Sequence, residues 1–67
     1  MNEFDTFIEV LKEAKVNNKR VSILVEGSYK PYTGHVESIN IFCTQLRNEY
    51  SVEYLKNSEI KTVKVYD

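Results

Sequence analysis

"GHVESINIFCTQLRN", Gly34 to Asn48, is the stretch whose reading decides the fold. It opens on a glycine, runs through Val36 and Ile39, crosses Asn40 and resumes as the apolar run Ile41-Phe42-Cys43. A glycine inside an extended pattern suggests a bulge or sharp bend, the device by which small barrels turn corners. The segment therefore reads as a bent strand, a short turn at Asn40, and a second strand. That second strand, "IFCTQLR", puts Phe42, Thr44 and Leu46 on one face and Ile41, Cys43 and Gln45 on the other.

The flanks extend the β reading in both directions. Upstream, "RVSILVE" alternates Val21, Ile23 and Val25 against Ser22, Leu24 and Glu26. Pro31 in "YKPYTGHVESI" cannot donate to a ladder, so it belongs at an edge or in a turn. Downstream, "YSVEYL" shares Tyr50, Val52 and Tyr54 on one face, and "IKTVKVY" closes the chain. Ahead of all these strands, Phe4, Phe7, Ile8 and Leu11 stand at helical spacing in "EFDTFIEVLKEAKV", with Ala14 and Lys15 in the next turn. Asn2 or Asp5 would cap its start, and Asn17-Asn18 would end it in a left-handed turn.

The expectation is a single mainly-β domain over residues 1–67: a helix at about 3–16, then strands at about 20–26, 30–39, 41–47, 50–55 and 60–66. Five short strands with tight connections form a strongly bent antiparallel sheet, or small open barrel of the SH3-like class. Such a barrel leaves two unpaired edges. Pairing the fourth strand of one subunit with the fifth of the next would satisfy both, and repeated head to tail that contact closes a ring.

Composition points the same way. At 67 residues the chain buries only about 60% of its unfolded surface, so its own core is marginal. One Cys and one His exclude an intramolecular disulfide and a structural zinc site of the usual kind, which leaves good packing or self-association, with self-association favoured. No cofactor is implied. No segment approaches the roughly 20 apolar residues of a transmembrane helix, and the acidic "MNEFDTFIEV" lacks the apolar core of a signal peptide. A cytoplasmic protein is expected, and the lone Cys43 suits a reducing compartment. Net charge is −1, from 9 basic and 10 acidic side chains, which argues against a broad electrostatic grip on duplex nucleic acid. A local basic ring or a stacking pocket remains compatible with it.

Taken in order, "VSILVEG", "GHVESINIF", "LRN" and "YLKNSEIKTV" resemble the bacterial Sm-like Hfq family along nearly the whole chain. There a helix precedes a strand beginning Val-Ser-Ile, followed by Gly-x-(Ile/Val)-Glu-Ser, a Phe-Asp-x-Phe-like turn, Leu-Lys-Asn, and Tyr-Lys-His-Ala-Ile-Ser-Thr-Val. The resemblance implies an Sm-like subunit of a homo-oligomeric ring, usually a hexamer, that binds single-stranded RNA. By position it makes Phe42 the base-stacking residue and Lys56 the cation, with Asn57 standing where the family has His. Asn40 replaces the family's Asp in the same turn, next to Ile41, and the RNA-binding set that the resemblance implies is Phe42, Lys56, Asn57, Asn40 and Ile41. Base–aromatic stacking of this kind contributes about 1–3 kcal/mol per base.

This chain departs from the family at several points. The last motif is longer before its isoleucine, Asn57-Ser58-Glu59-Ile60, and Glu59 adds negative charge where RNA would approach. "GSYKPYTG" is longer than the family's hairpin, and the family's arginine cluster is thinned to "LKEAK" and Arg20.

Each singled-out residue also has a plainer reading. By pattern alone Phe42 packs in the barrel or at a subunit contact, and Cys43 is a small buried hydrophobe. His35 lies on the solvated side of its strand beside Glu37. Lys56, Lys61 and Lys64 form either a solvated edge or a phosphate-contacting patch. The five tyrosines suit an interface or scattered strand positions. Glu26, Glu37 and Glu53 lie on different strands, and no phosphate loop or nucleophile motif is present, so an enzyme is not expected. The competing class is a small-barrel protein-interaction module, such as a phage- or plasmid-encoded inhibitor or adaptor, with a protein partner and no nucleic acid. A purely structural subunit is the third reading.

Overall fold

A computed structural model of the chain describes residues 3–66. Helix α1 (Glu3–Val16) comes first, followed by strands β1 (Arg20–Val25), β2 (Tyr32–Ile39), β3 (Cys43–Arg47), β4 (Val52–Lys56) and β5 (Ile60–Val65). A three-residue 3₁₀ turn, Asn57–Glu59, joins β4 to β5. The expected cap at Asn2 or Asp5 and the packing of Phe4 lie outside the described residues and side chains.

The helix buries the stripe its spacing predicts. Leu11 and Ala14 are sealed in the core and Phe7 packs against it, while Lys15 stays exposed. Asn18 ends the helix at φ 52°, in the left-handed region that Asn tolerates. Its N–H donates to the Lys15 carbonyl (3.2 Å) and Lys19 N–H donates to that of Ala14 (2.9 Å). These two bonds form a Schellman motif, which satisfies carbonyls that the last helical turn would leave unpaired.

The five strands form one antiparallel sheet in the order β4-β3-β2-β1-β5. Consecutive strands β4 and β5 thus occupy opposite edges, although only Asn57–Glu59 separate them. Three residues span that gap only if the sheet curls until its two edges approach each other. The connector is tied to the end of β1 by the Glu26 N–H, which donates to the Glu59 carbonyl (2.9 Å). The result is the open, strongly bent sheet expected from the sequence, with β4 and β5 left unpaired along their outer sides. Val21, Ile23, Val36, Leu46, Leu55 and Ile60 fill its concave side beneath α1.

Several details differ from the sequence reading, and β2 begins at Tyr32, after Pro31, rather than at residue 30. Gly34 does not mark the ladder's irregularity: the register shift between β2 and β3 falls between Val36 and Ser38. Gly34 instead permits close approach, since a Cβ there would overlap the backbone carbonyl of Arg47. Strand β3 begins at Cys43 rather than at Ile41, and β4 at Val52 rather than at Tyr50. In both places an asparagine side chain draws the preceding residues into a turn.

Candidate nucleic-acid interface

The turn between β2 and β3 is built by Asn40. Its Oδ1 accepts from the N–H groups of Phe42 (2.7 Å) and Cys43 (2.9 Å), and its own N–H donates to the Cys43 carbonyl (3.0 Å). This is an Asx turn, in which a carboxamide stands in for a backbone acceptor. It takes Ile41 and Phe42 out of the ladder and leaves them 64% and 76% exposed. Phe42 is therefore not a core residue in this chain, despite the β pattern that surrounds it. Thr44 and Leu46, which share its predicted face, are fully buried.

Lys56 comes to the same place through the ladder. It is the register partner of Cys43, so the end of β4 lies beside the Phe42 turn. Its ammonium is well exposed and 4.0 Å from Glu59 Oε1. A pair this open is weak, but it places a carboxylate beside the only cation of the turn's ladder partner.

Asn57 occupies a different position from that suggested by its alignment with a ligand-contacting His. It is 2% exposed. Its Oδ1 accepts from Thr44 Oγ1 and its Nδ2 donates to the Asn40 carbonyl, both at 2.6 Å, while its backbone N–H donates to the Phe42 carbonyl (2.9 Å). Its carboxamide and backbone N–H thus clamp the 3₁₀ turn to β3 and to the Asn40 turn, while its carbonyl accepts from Ile60 N–H. Asn57 positions Phe42 from below, and Asn40, Phe42, Lys56 and Asn57 form one connected unit with Ile41 at its tip.

Thr44 belongs to this unit too, and the alternation pattern gave no sign of it beyond a hydroxyl on a core face. A buried hydroxyl needs a partner, and Thr44 finds it in Asn57. Cys43 is half-buried, with Asn40 Nδ2 at 3.8 Å from its sulfur. Among the described residues there is no group of three His, Cys, Asp or Glu side chains placed to hold a metal ion. No helix among them is long and apolar enough to cross a membrane.

Comparison with known proteins bears on the fold. No protein-family model matches the chain, and no curated protein sequence does. Among solved structures it is similar to the 1.55 Å crystal structure of the pleiotropic translational regulator Hfq, with a TM-score of 0.79. The match covers 98% of each chain at 15% sequence identity. The chain has the Hfq-like Sm fold, the architecture implied by the order of its motifs.

Proposed function

We propose that this protein binds single-stranded RNA, with Phe42 stacking on a base and Lys56 contacting phosphate. The observation that carries this reading is the display of Phe42: a phenyl ring 76% exposed on a turn closed by its own asparagine. An exposed ring on a braced turn has little freedom left to lose on binding, which favours stacking. Ile41 flanks the ring, and Asn40 and Asn57 hold it in place without touching the ligand.

Self-association completes the proposal. Strands β4 and β5 each leave an outer edge without a strand partner, and head-to-tail pairing of the two between copies would close a ring, six-membered in the family that the sequence resembles. Val52 and Tyr54 of β4, 39% and 70% exposed, would lie at that contact. A ring would gather the Phe42 turns around one axis, so weak single contacts would act together. The fold similarity to a translational regulator supports an RNA-regulatory rather than an enzymatic role.

Fluorescence anisotropy with labelled U6 and A6 RNA over a salt series tests the binding, with light scattering for the mass. Phe42→Ala should weaken binding by about fivefold or more. Absence of binding at low salt, or an unchanged affinity in Phe42→Ala, refutes the site; a monomeric mass at micromolar concentration refutes the ring. The exposed Tyr54 and β4 edge also favour a second reading, a docking surface for another protein. A nuclease-treated pull-down from host lysate that recovers a stoichiometric partner, together with no RNA binding, selects it.

A further inference from the structure

The chain builds the same turn twice. At the other end of β3, Asn48-Glu49-Tyr50-Ser51 repeats the Asn-x-aromatic-x pattern of Asn40-Ile41-Phe42-Cys43. The hydrogen bonds repeat as well. Asn48 Oδ1 accepts from Tyr50 and Ser51 N–H, both at 2.8 Å, and Asn48 N–H donates to the Ser51 carbonyl (2.9 Å). The third residue is again an aromatic pushed clear of the fold, with Tyr50 93% exposed.

Charge is gathered beside it. The ladders pair Arg20 with His35 and His35 with Arg47, and directly paired residues project from the same face of a sheet. These three side chains thus form a row across β1, β2 and β3. With Tyr50, Thr33 and Gly34 they line an open cleft of about 520 Å³.

Both arginines have a partner beside the cleft. The Arg20 guanidinium lies 5.1 Å from the centre of the Tyr66 ring, which Lys64 approaches to 5.2 Å. Arg47 Nε meets Glu37 Oε2 at 2.8 Å, in an ion pair whose members are both about half exposed. That pair uses one edge of the guanidinium and leaves further N–H donors for an anion. Glu49 is the one carboxylate among the residues that line the cleft.

We propose that this cleft is a second binding site, which takes one nucleotide unit: Tyr50 stacks on its base, and Arg47 and Arg20 take its phosphate. An arginine fork matches phosphate geometry, and a ring at the cleft rim matches a base. A simple anion would leave Tyr50 unused, and an apolar ligand would strand the guanidiniums. The site lies at the opposite end of β3 from Phe42, roughly 17 Å along a five-residue strand. It depends on neither Phe42 nor a ring. Its occupant is either a free mononucleotide or one link of a single strand.

Amide NMR of the full chain, titrated with UMP, AMP, U6, A6 and inorganic phosphate, tests this. The Asn48, Tyr50 and Ser51 amides should shift saturably with a nucleotide or an oligonucleotide. Tyr50→Ala and Arg47→Gln should each weaken that response about fivefold or more, and Tyr50→Phe should retain it. Phe42→Ala should leave it unchanged, which separates this site from the first. Tighter saturation by U6 or A6 than by the monophosphates identifies a strand; the reverse identifies a free nucleotide. No saturable shift at these amides with any nucleotide overturns the proposal, as does an equal response to inorganic phosphate.

Discussion

Replacing Asn57 with alanine should destabilise the protein by about 2–4 kcal/mol, although the residue sits in a three-residue turn. Its backbone bond to the Phe42 carbonyl survives the substitution, and two side-chain bonds are lost. Thr44 is fully buried, so its hydroxyl loses its acceptor with no access to water. A buried polar group stranded in this way costs about 1–3 kcal/mol. The Asn40 carbonyl is only partly buried and recovers some of its loss from solvent. A chain of this size has a total stability of only about 3–10 kcal/mol, so the loss is a large fraction of it. Urea unfolding followed by far-UV circular dichroism measures the difference, at one fixed protomer concentration because self-association would add to apparent stability. The Thr44→Val variant completes a double-mutant cycle. The double variant should be less destabilised than the sum of the singles, by about 0.5–3 kcal/mol, because one bond is counted in both. A loss below about 0.5 kcal/mol in Asn57→Ala, the range of ordinary surface changes, would refute the clamp, and so would strict additivity with Thr44→Val.

Two further perturbations probe the neighbouring chemistry. Glu59→Gln removes the carboxylate 4.0 Å from Lys56 and should tighten U6 binding about two- to fivefold at low salt, an effect that fades as salt screens the charge; equal affinities for variant and parent at low salt would remove Lys56 from the site. Gly34→Ala places a Cβ against the Arg47 carbonyl, a backbone atom that cannot swing aside, and should cost about 1–3 kcal/mol in urea unfolding. An unchanged midpoint would show that β2 and β3 are not held as closely as described.

Much of the fold was legible because it is written in local periods. The helical stripe of Phe7, Leu11 and Ala14, the alternation of Val21, Ile23 and Val25, and the stop at Asn17-Asn18 each depend on residues a few positions apart. Errors arose where a side chain competes with the backbone. Ile41-Phe42 is apolar and β-prone, so propensity extends β3 back over it; the Asn40 carboxamide captures the next amides first and turns the chain. The same competition shortens β4 at Asn48. The clue was present in the sequence as two Asn-x-aromatic-x tetrads eight residues apart, but alternation and motif order both read past it.

The clamp at Asn57 was beyond any local reading, and its position explains why. Its partners Thr44 and Asn40 are 13 and 17 residues away, and they meet it only because the sheet curls until the β4–β5 connector passes under the β2–β3 turn. Alignment with a family that carries His there suggested a group facing the ligand, whereas the carboxamide here faces inward with both ends bonded. The two turns at the ends of β3 consequently differ in one respect. The Phe42 turn is closed by its own asparagine and then fastened to a second element by buried bonds, while the Tyr50 turn is closed by Asn48 and by one exposed bond, from Ser51 Oγ to Glu53 Oε1 (3.1 Å). A ring fixed from two sides loses less freedom on stacking than one fixed from one side. The Phe42 position should therefore give the tighter of the two contacts, and breaking its clamp should bring it closer to the Tyr50 position. Measuring the response at both turns in Asn57→Ala puts that ordering to the test: a weakened Phe42 response with an unaltered Tyr50 response supports it, and equal weakening at both turns overturns it.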